Sequence, residues 1–494
     1  MPRKLPIFYS ALLLTGVNLL LRLISTSFQV YISSLLGAAG VGLLQLVMSV
    51  GMLAMTAGMA GVRTATMYLT AEELGRKRPQ NVHWVLRGAF LYSILASGIL
   101  SLGLFSAAPW LAEHWIGDIR ALASLRTFSS FLPVVCLCGC MTGYFTAANR
   151  IGTLAAVEIA EQLCSMAVTM GALILWAGRD PGRACQSVVL GSSVGSCLTL
   201  LCLLILRHRE RAPRGARLPV ARRLLHTAVP LALADDVKAG ISTLENLMVP
   251  KRLSLFTEIG NPLAAFGLVC GMVFPVLMFP AAILFALAEL LIPELARCRA
   301  AGSQQRIHYL VRRCLRFALL YGCLCGGLLF LLAKQLCLWL YDSPQAGEYL
   351  KLYAFLAPML YCDAITDAMT KGLGQQKVCV RYNILTSAMD VTFLYFLLPR
   401  YGMEGYFLSF LVTHLVNFLL SIRLLLKITG ITIPFYRPAL TIAATLFSAF
   451  LADFASLPLV QAAGFLGLLG SALFLLKIIQ KEDFLWIRGL FHKD

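Results

Sequence analysis

The chain has 494 residues, of which 59% are hydrophobic and 13% charged, with a mean hydropathy of +0.78 and a formal net charge of +18. That balance excludes a soluble globular protein. Long apolar runs mark membrane helices, each needing about 20 residues to cross the hydrocarbon core.

Fourteen candidate spans follow in chain order, at residues 7–35, 41–69, 83–108, 121–146, 152–177, 184–206, 225–250, 264–292, 308–333, 346–371, 378–398, 402–426, 435–453 and 458–479. The loops between them are too short for a separate soluble domain, so the expected fold is all-α and polytopic. The first run, "MPRKLPIFYSALLLTGVNLLL", has Arg3 and Lys4 ahead of it as a signal peptide would. It is too long for one and no small-residue cleavage pattern follows, so it is expected to remain as the first helix.

Basic residues set the orientation. Arg3 and Lys4, "GRKR" ending at Arg78, "RHRERAPRGARLPVARR" (207–223), "RCRAAGSQQR" (297–306) and the C-terminal tail with Lys477, Lys481, Arg488 and Lys493 all fall on one side if fourteen spans cross. The opposite loops are poorer in Lys and Arg, which predicts a multi-pass cell-membrane protein with both termini cytoplasmic. The positive charge is then mainly topological, and nucleic acid is not an expected partner. The fifteen cysteines lie mostly inside apolar helices without metal-ligand spacing, as in "CLCGC" (136–140), so they read as small packing residues. No metal, cofactor, nucleotide loop or catalytic constellation is expected, and the chain does not read as an enzyme.

The two halves repeat at a shift of about 225 residues. Gly42 falls on Gly267, His83 on His308, Arg87 on Arg312, Phe105 on Phe330, Leu125 on Leu350 and Pro133 on Pro358; "VHWVLR" (82–87) overlays "IHYLVR" (307–312). Each copy holds six spans and therefore enters from the same side. This predicts two pseudo-symmetric lobes, residues 1–206 and 225–427, joined by a basic cytoplasmic linker at 207–224. Two additional helices and a tail fill 428–494. A binding site is expected between the lobes near the midplane.

Charges inside spans need a reason, since each costs about 2.5–3.5 kcal/mol at mid-helix on insertion scales. Arg22 lies deep in the first span, in a helix without a carboxylate. Lys238 is its near counterpart in the second copy. Arg63 lies six residues before the end of its span (41–69), where snorkelling competes with a buried role. Arg22, Lys238 and Arg63 are the candidate anion-binding residues, with Asn18, Glu245 and Asn246 as polar lining. The buried acids Glu158, Glu161, Glu289, Asp363, Asp367 and Asp390 are open to pairing with basic groups. For ion coupling the candidates are Asp235, Asp236, Asp363 and Asp367.

Three stretches carry a family resemblance: "LLGAAGVGLLQLVMSV" (35–50), "AGMAGVRTATMYLTAEELGRKR" (57–78) and "FLPVVCLCGCMTGYFTAANRIGTLAAVEIAEQL" (131–163). The chain resembles the stage V sporulation protein B group of polysaccharide and lipid-linked oligosaccharide flippases. That group is related to peptidoglycan-precursor flippases and multidrug extruders. The resemblance implies two six-helix lobes in a V plus two helices. It also implies a polyprenyl-pyrophosphate sugar or peptidoglycan precursor flipped to the outer leaflet by alternating access, in envelope or spore-wall synthesis. Partners would be that anionic lipid and the membrane lipids, with the protein a monomer. In peptidoglycan-precursor flippases a first-helix arginine lines a cationic cavity, and Arg22 looks like its counterpart; where a second arginine is expected there, this chain has Phe28. The alternatives are a cation-coupled multidrug antiporter of the same fold, disfavoured by Arg22 where extruders place an acid, and a nontransporting membrane scaffold.

Overall fold

A computed structural model of the chain describes residues 7–208 and 220–478, apart from 60, 77, 149, 178, 179, 433, 435, 456 and 477. Among these residues all regular structure is helical. In chain order the helices are α1 (Ile7–Met59), α2 (Val62–Gly75), α3 (Val82–Trp110), α4 (Ala121–Ala147), α5 (Ile151–Ala172), α6 (Pro181–His208), α7 (Val220–Leu253), α8 (Pro262–Gly267), α9 (Phe274–Met278), α10 (Ala282–Ala300), α11 (Gln304–Tyr341), α12 (Pro344–Ala354), α13 (Ala357–Gly372), α14 (Gln376–Thr429), α15 (Tyr436–Ala452) and α16 (Pro458–Leu475).

Two of them are double spans. At a rise of 1.5 Å per residue, α1 and α14 are each on the order of 80 Å long, far more than one bilayer core. α1 is broken at Gly37 (φ 65°, ψ 174°) and α14 at Gly402 (φ 55°, ψ −132°), conformations that favour glycine. The stretch Pro262–Met278 and α10 form one span bent by 66°. With α12 and α13 taken as one span, the described helices supply fourteen membrane segments. The protein is thus an all-α, multi-pass membrane protein.

The chain forms two compact units: Met1–Gly271 with Ser387–Tyr406, and Met272–Thr386 with Phe407–Asp494. The first unit therefore takes in α7 and α8, which lie beyond the 207–224 linker. Their packing explains this: α7 runs against α1 and α2, and α8 against α1. At the crossing of α1 and α8 the repeat-matched glycines meet. A Cβ on Gly42 would overlap the carbonyl of Leu263, and one on Gly267 would overlap that of Ala38. Small residues let membrane helices approach this closely. The match of Gly42 with Gly267 in the sequence thus has a two-sided packing cause.

A core in the first unit joins Val62, Ala65 and Leu69 of α2 to Val85 and Ala89 of α3, Cys140 of α4, and Leu224 and Ala228 of α7. In the second unit Leu331 of α11 packs with Ala449 of α15 and with Phe465 and Leu469 of α16. All fifteen cysteines are free thiols. Several bond to neighbouring backbone: the Sγ of Cys138 donates to the Ser196 carbonyl at 3.1 Å, and that of Cys185 to Gly40 at 3.5 Å.

Candidate substrate site

The candidate site of the first unit is built around a break in the second span. Gly61 takes a left-handed conformation (φ 70°), ends the run from α1 and starts α2, whose first turn holds Arg63. α7 crosses at that point, with the Ala228 carbonyl against Gly61. On the other side, Gly139 and Gly143 of α4 leave room for the backbone and stem of Arg63. α2 continues to Gly75, twelve residues beyond Arg63, or about 18 Å at the helical rise, and the guanidinium lies near its start. It is exposed and feels the charge of Glu158 on α5, but forms no ion pair among the described residues.

Lys238 stands near the middle of α7, exposed and with no ion-pair partner among the described residues. Glu245 is seven residues further on, close to the same helix face at 3.6 residues per turn. It accepts a hydrogen bond from Ser387 and lies beside Asp390, both on α14. One of its oxygens, Oε1, is buried with no hydrogen-bond partner among the described residues. The neighbouring face of α7 is fixed to α1: Thr243 Oγ1 donates to the Ser49 carbonyl at 3.0 Å, and Asn246 Nδ2 to Ser49 Oγ at 3.0 Å. Asn246 is thereby a helix-locking residue as well as a polar one. Asp235 is exposed, while Asp236 is half-buried next to Asp235 and Tyr92.

The second unit holds the other acids. Asp363 Oδ2 accepts from Asn417 Nδ2 at 3.0 Å, while its Oδ1 is buried without a hydrogen-bond partner among the described residues. Asp367 pairs with Lys371 on the same helix at 2.5 Å. Glu161, open in the sequence to pairing with a cation, is held instead by hydroxyls, Thr199 at 2.7 Å and Ser196 at 3.2 Å. It locks α5 to α6 without a counter-charge.

Arg63, Lys238, Glu245, Asn246, Asp235 and Asp236 all belong to the first unit, and Asp363 and Asp367 to the second. Arg22 and Asn18 lie on α1, but their side chains fall outside the described residues, as do linker residues 209–219. Sequence reasoning ranked Asp390 only as a buried acid and did not name Ser387. The period of α14 offered no signal joining them to Glu245, because the contact is between helices far apart in the chain. A cluster at the end of α2 was also missed. Arg223, at the start of α7, bonds Glu72 at 2.7 Å and Glu73 at 3.2 Å, and Asn81 donates to Glu73 at 2.9 Å.

Fourteen helical segments and a repeat of six spans describe a polytopic membrane protein. Comparisons with known proteins show what the chain is similar to. The model of the polysaccharide biosynthesis protein family matches residues 8–235, and the MatE family model matches residues 260–396. Stage V sporulation protein B of Bacillus subtilis (strain 168) is 22% identical over 462 residues, covering 90% of this chain and 88% of that protein. Among solved structures, the lipid II flippase MurJ in an inward closed conformation aligns with a TM-score of 0.73 at 12% identity, over 95% of this chain and all of that one (100%). An inward-facing multidrug resistance MATE family transporter aligns with a TM-score of 0.64 at 13% identity, over 88% of this chain and 99% of that one. The chain is thus similar to the polysaccharide biosynthesis protein family in its first half, to the MatE family over 260–396, and to stage V sporulation protein B over most of its length.

Proposed function

We propose that the protein flips a lipid-linked, pyrophosphate-bearing saccharide, an oligosaccharide or a peptidoglycan precursor, from the cytoplasmic to the outer leaflet of the cell membrane by alternating access. Envelope or spore-wall polysaccharide synthesis is the process it would serve. The observation that carries this reading is Lys238, a cation near the middle of a membrane helix with no ion-pair partner among the described residues. The headgroup cannot leave water unaided, because its polar groups would lose hydrogen bonds without replacement. Lys238 and Arg63, with Arg22 of α1 proposed from the sequence alone, would answer the phosphate charge while the polyprenyl tail stays in lipid. A guanidinium suits a phosphate through paired N–H contacts.

Energy would come from a gradient, the membrane potential or removal of product, as the sequence carries no nucleotide-binding loop. Two neighbouring carboxylates repel unless a proton or a cation lies between them. On that ground Glu245 with Asp390 is the strongest coupling candidate, ahead of Asp235, Asp236, Asp363 and Asp367. The protein would act as a monomer with both termini and the 207–223 linker cytoplasmic; single-cysteine labelling that finds the linker outside would contradict this topology.

A cation-coupled multidrug antiporter is the second reading, supported by the MatE match over 260–396. Purified protein in liposomes separates the two. Flipping of a polyprenyl-pyrophosphate saccharide without extrusion of cationic drugs supports the first reading, and the reverse result supports the second.

A further inference from the structure

At the end of the first unit remote from the 207–223 linker, α7 closes on Lys251 and Arg252, and a separate group of basic residues lies between α4 and α6. The first turns of α4 and α6 flank a cleft of about 630 Å³ lined by Arg120, Arg126, Arg183 and Asp180, with Leu122 and Phe131. α6 meets the linker only at its other end, His208. Two of the three guanidiniums are answered. Arg120 Nη2 lies 2.6 Å from Asp118 Oδ2. Burial pushes the Asp118 carboxyl up, but the bonds from Arg120 outweigh this and hold it below the usual carboxylate range, so the pair stays charged. Arg183 faces Asp180 at 3.6 Å. Arg126 is left over: it sits over the Phe105 ring at 5.3 Å and forms no ion pair among the described residues.

The repeat shows what a finished version of this corner looks like. The shift of 225 that lays Phe105 on Phe330 also lays Arg126 on Lys351. Lys351 Nζ stands 4.4 Å from the Phe330 ring, the same cation–aromatic pair, and 3.2 Å from Asp453. Asp453 follows α15, which is outside the repeat, so the first copy has no counterpart for it. One copy closes its cation with a carboxylate; the other leaves it facing a cleft.

We propose that this cleft binds the phosphate of an anionic phospholipid. Arg126 would be the principal contact, and an acyl chain would run along the apolar wall. Three features favour a lipid over a soluble anion. The wall is apolar at Leu122, Phe131 and Leu190. Leu190 is nine residues into α6, roughly 13 Å along the helix, which carries the cleft from the interface into the hydrocarbon. The volume falls in the usual range for small amphiphilic ligands, about 300–1,000 Å³. This site is independent of the transport reading and needs no substrate to test.

The test is native mass spectrometry of the full-length protein with phosphatidylglycerol or phosphatidylcholine, and with inorganic phosphate as competitor. Wild-type protein should retain phosphatidylglycerol in preference to phosphatidylcholine. Arg126→Gln should lose that preference and Arg126→Lys should keep it. Ser130→Asp, which sets a carboxylate one turn from Arg126 and imitates Asp453, should lose it while preserving the cation–aromatic contact; it serves if Arg126→Gln misfolds. Equal retention of phosphatidylglycerol by wild type and Ser130→Asp overturns the site. Displacement of the lipid by inorganic phosphate alone overturns the lipid assignment in favour of a soluble anion.

Discussion

Named charges of the two units are held in different ways. In the second, three charged groups have local partners: Asp363 takes a hydrogen bond from Asn417, Asp367 pairs with Lys371, and Lys351 pairs with Asp453. In the first, Arg63, Lys238 and Arg126 form no ion pair among the described residues. An ionised side chain at mid-helix costs about 2.5–3.5 kcal/mol on insertion scales. The three partnered groups of the second unit offset that cost locally. The first leaves it standing, and a bound anion is the simplest group to offset it. On the proposed function, the partnered charges serve structure and the unpartnered Arg63 and Lys238 serve a ligand.

The largest effect that would sharpen this contrast is expected at Lys238. Lys238→Ala should lower saccharide flipping at least tenfold, taking about 1.5–3 kcal/mol for a hydrogen bond to a charged group, with abundance in the membrane unchanged. A fall in abundance that parallels the loss of flipping would break the contrast, since Lys238 would then be structural. Next comes the acid pair. Glu245→Gln or Asp390→Asn should remove the dependence of flipping on an imposed proton or sodium gradient, measured in liposomes with each gradient in turn; an unchanged dependence would exclude this pair from coupling.

In the second unit the expected change is in stability instead. Asn417→Ala takes away the hydrogen bond to Asp363 and should cost about 1–3 kcal/mol, read as a lower thermal midpoint in detergent, with flipping per folded molecule retained. The smallest effect belongs to Lys351→Ala. Its pair with Asp453 is partly exposed and should be worth about 0–1 kcal/mol, a change near the resolution of the same melt.

The fold was legible because its determinants are local. Apolar runs of about 20 residues read as spans whatever surrounds them, and a six-span repeat leaves matched residues such as Gly42 and Gly267 in the sequence. The site was legible in kind more than in geometry. A lone Lys238 in an apolar helix stands out, but its neighbours come from helices distant in the chain. Glu245 meets Asp390 across 145 residues of sequence, and Glu161 finds hydroxyls of α6 instead of a cation. The break at Gly61 beside Arg63 was not legible, because hydropathy runs unbroken across it. The division of the chain also differs from the repeat, because α7 and α8 pack on α1, a tertiary choice that hydropathy does not encode.

The central claim, that Lys238 and Arg63 hold a pyrophosphate, is tested most directly by equilibrium binding. A water-soluble, short-chain polyprenyl pyrophosphate would be titrated into purified wild type, Lys238→Ala, Arg63→Ala and Lys371→Ala. The account predicts weaker binding by about tenfold or more in the first two variants, and wild-type affinity in Lys371→Ala, whose cation already has Asp367. Wild-type affinity in both Lys238→Ala and Arg63→Ala would contradict it.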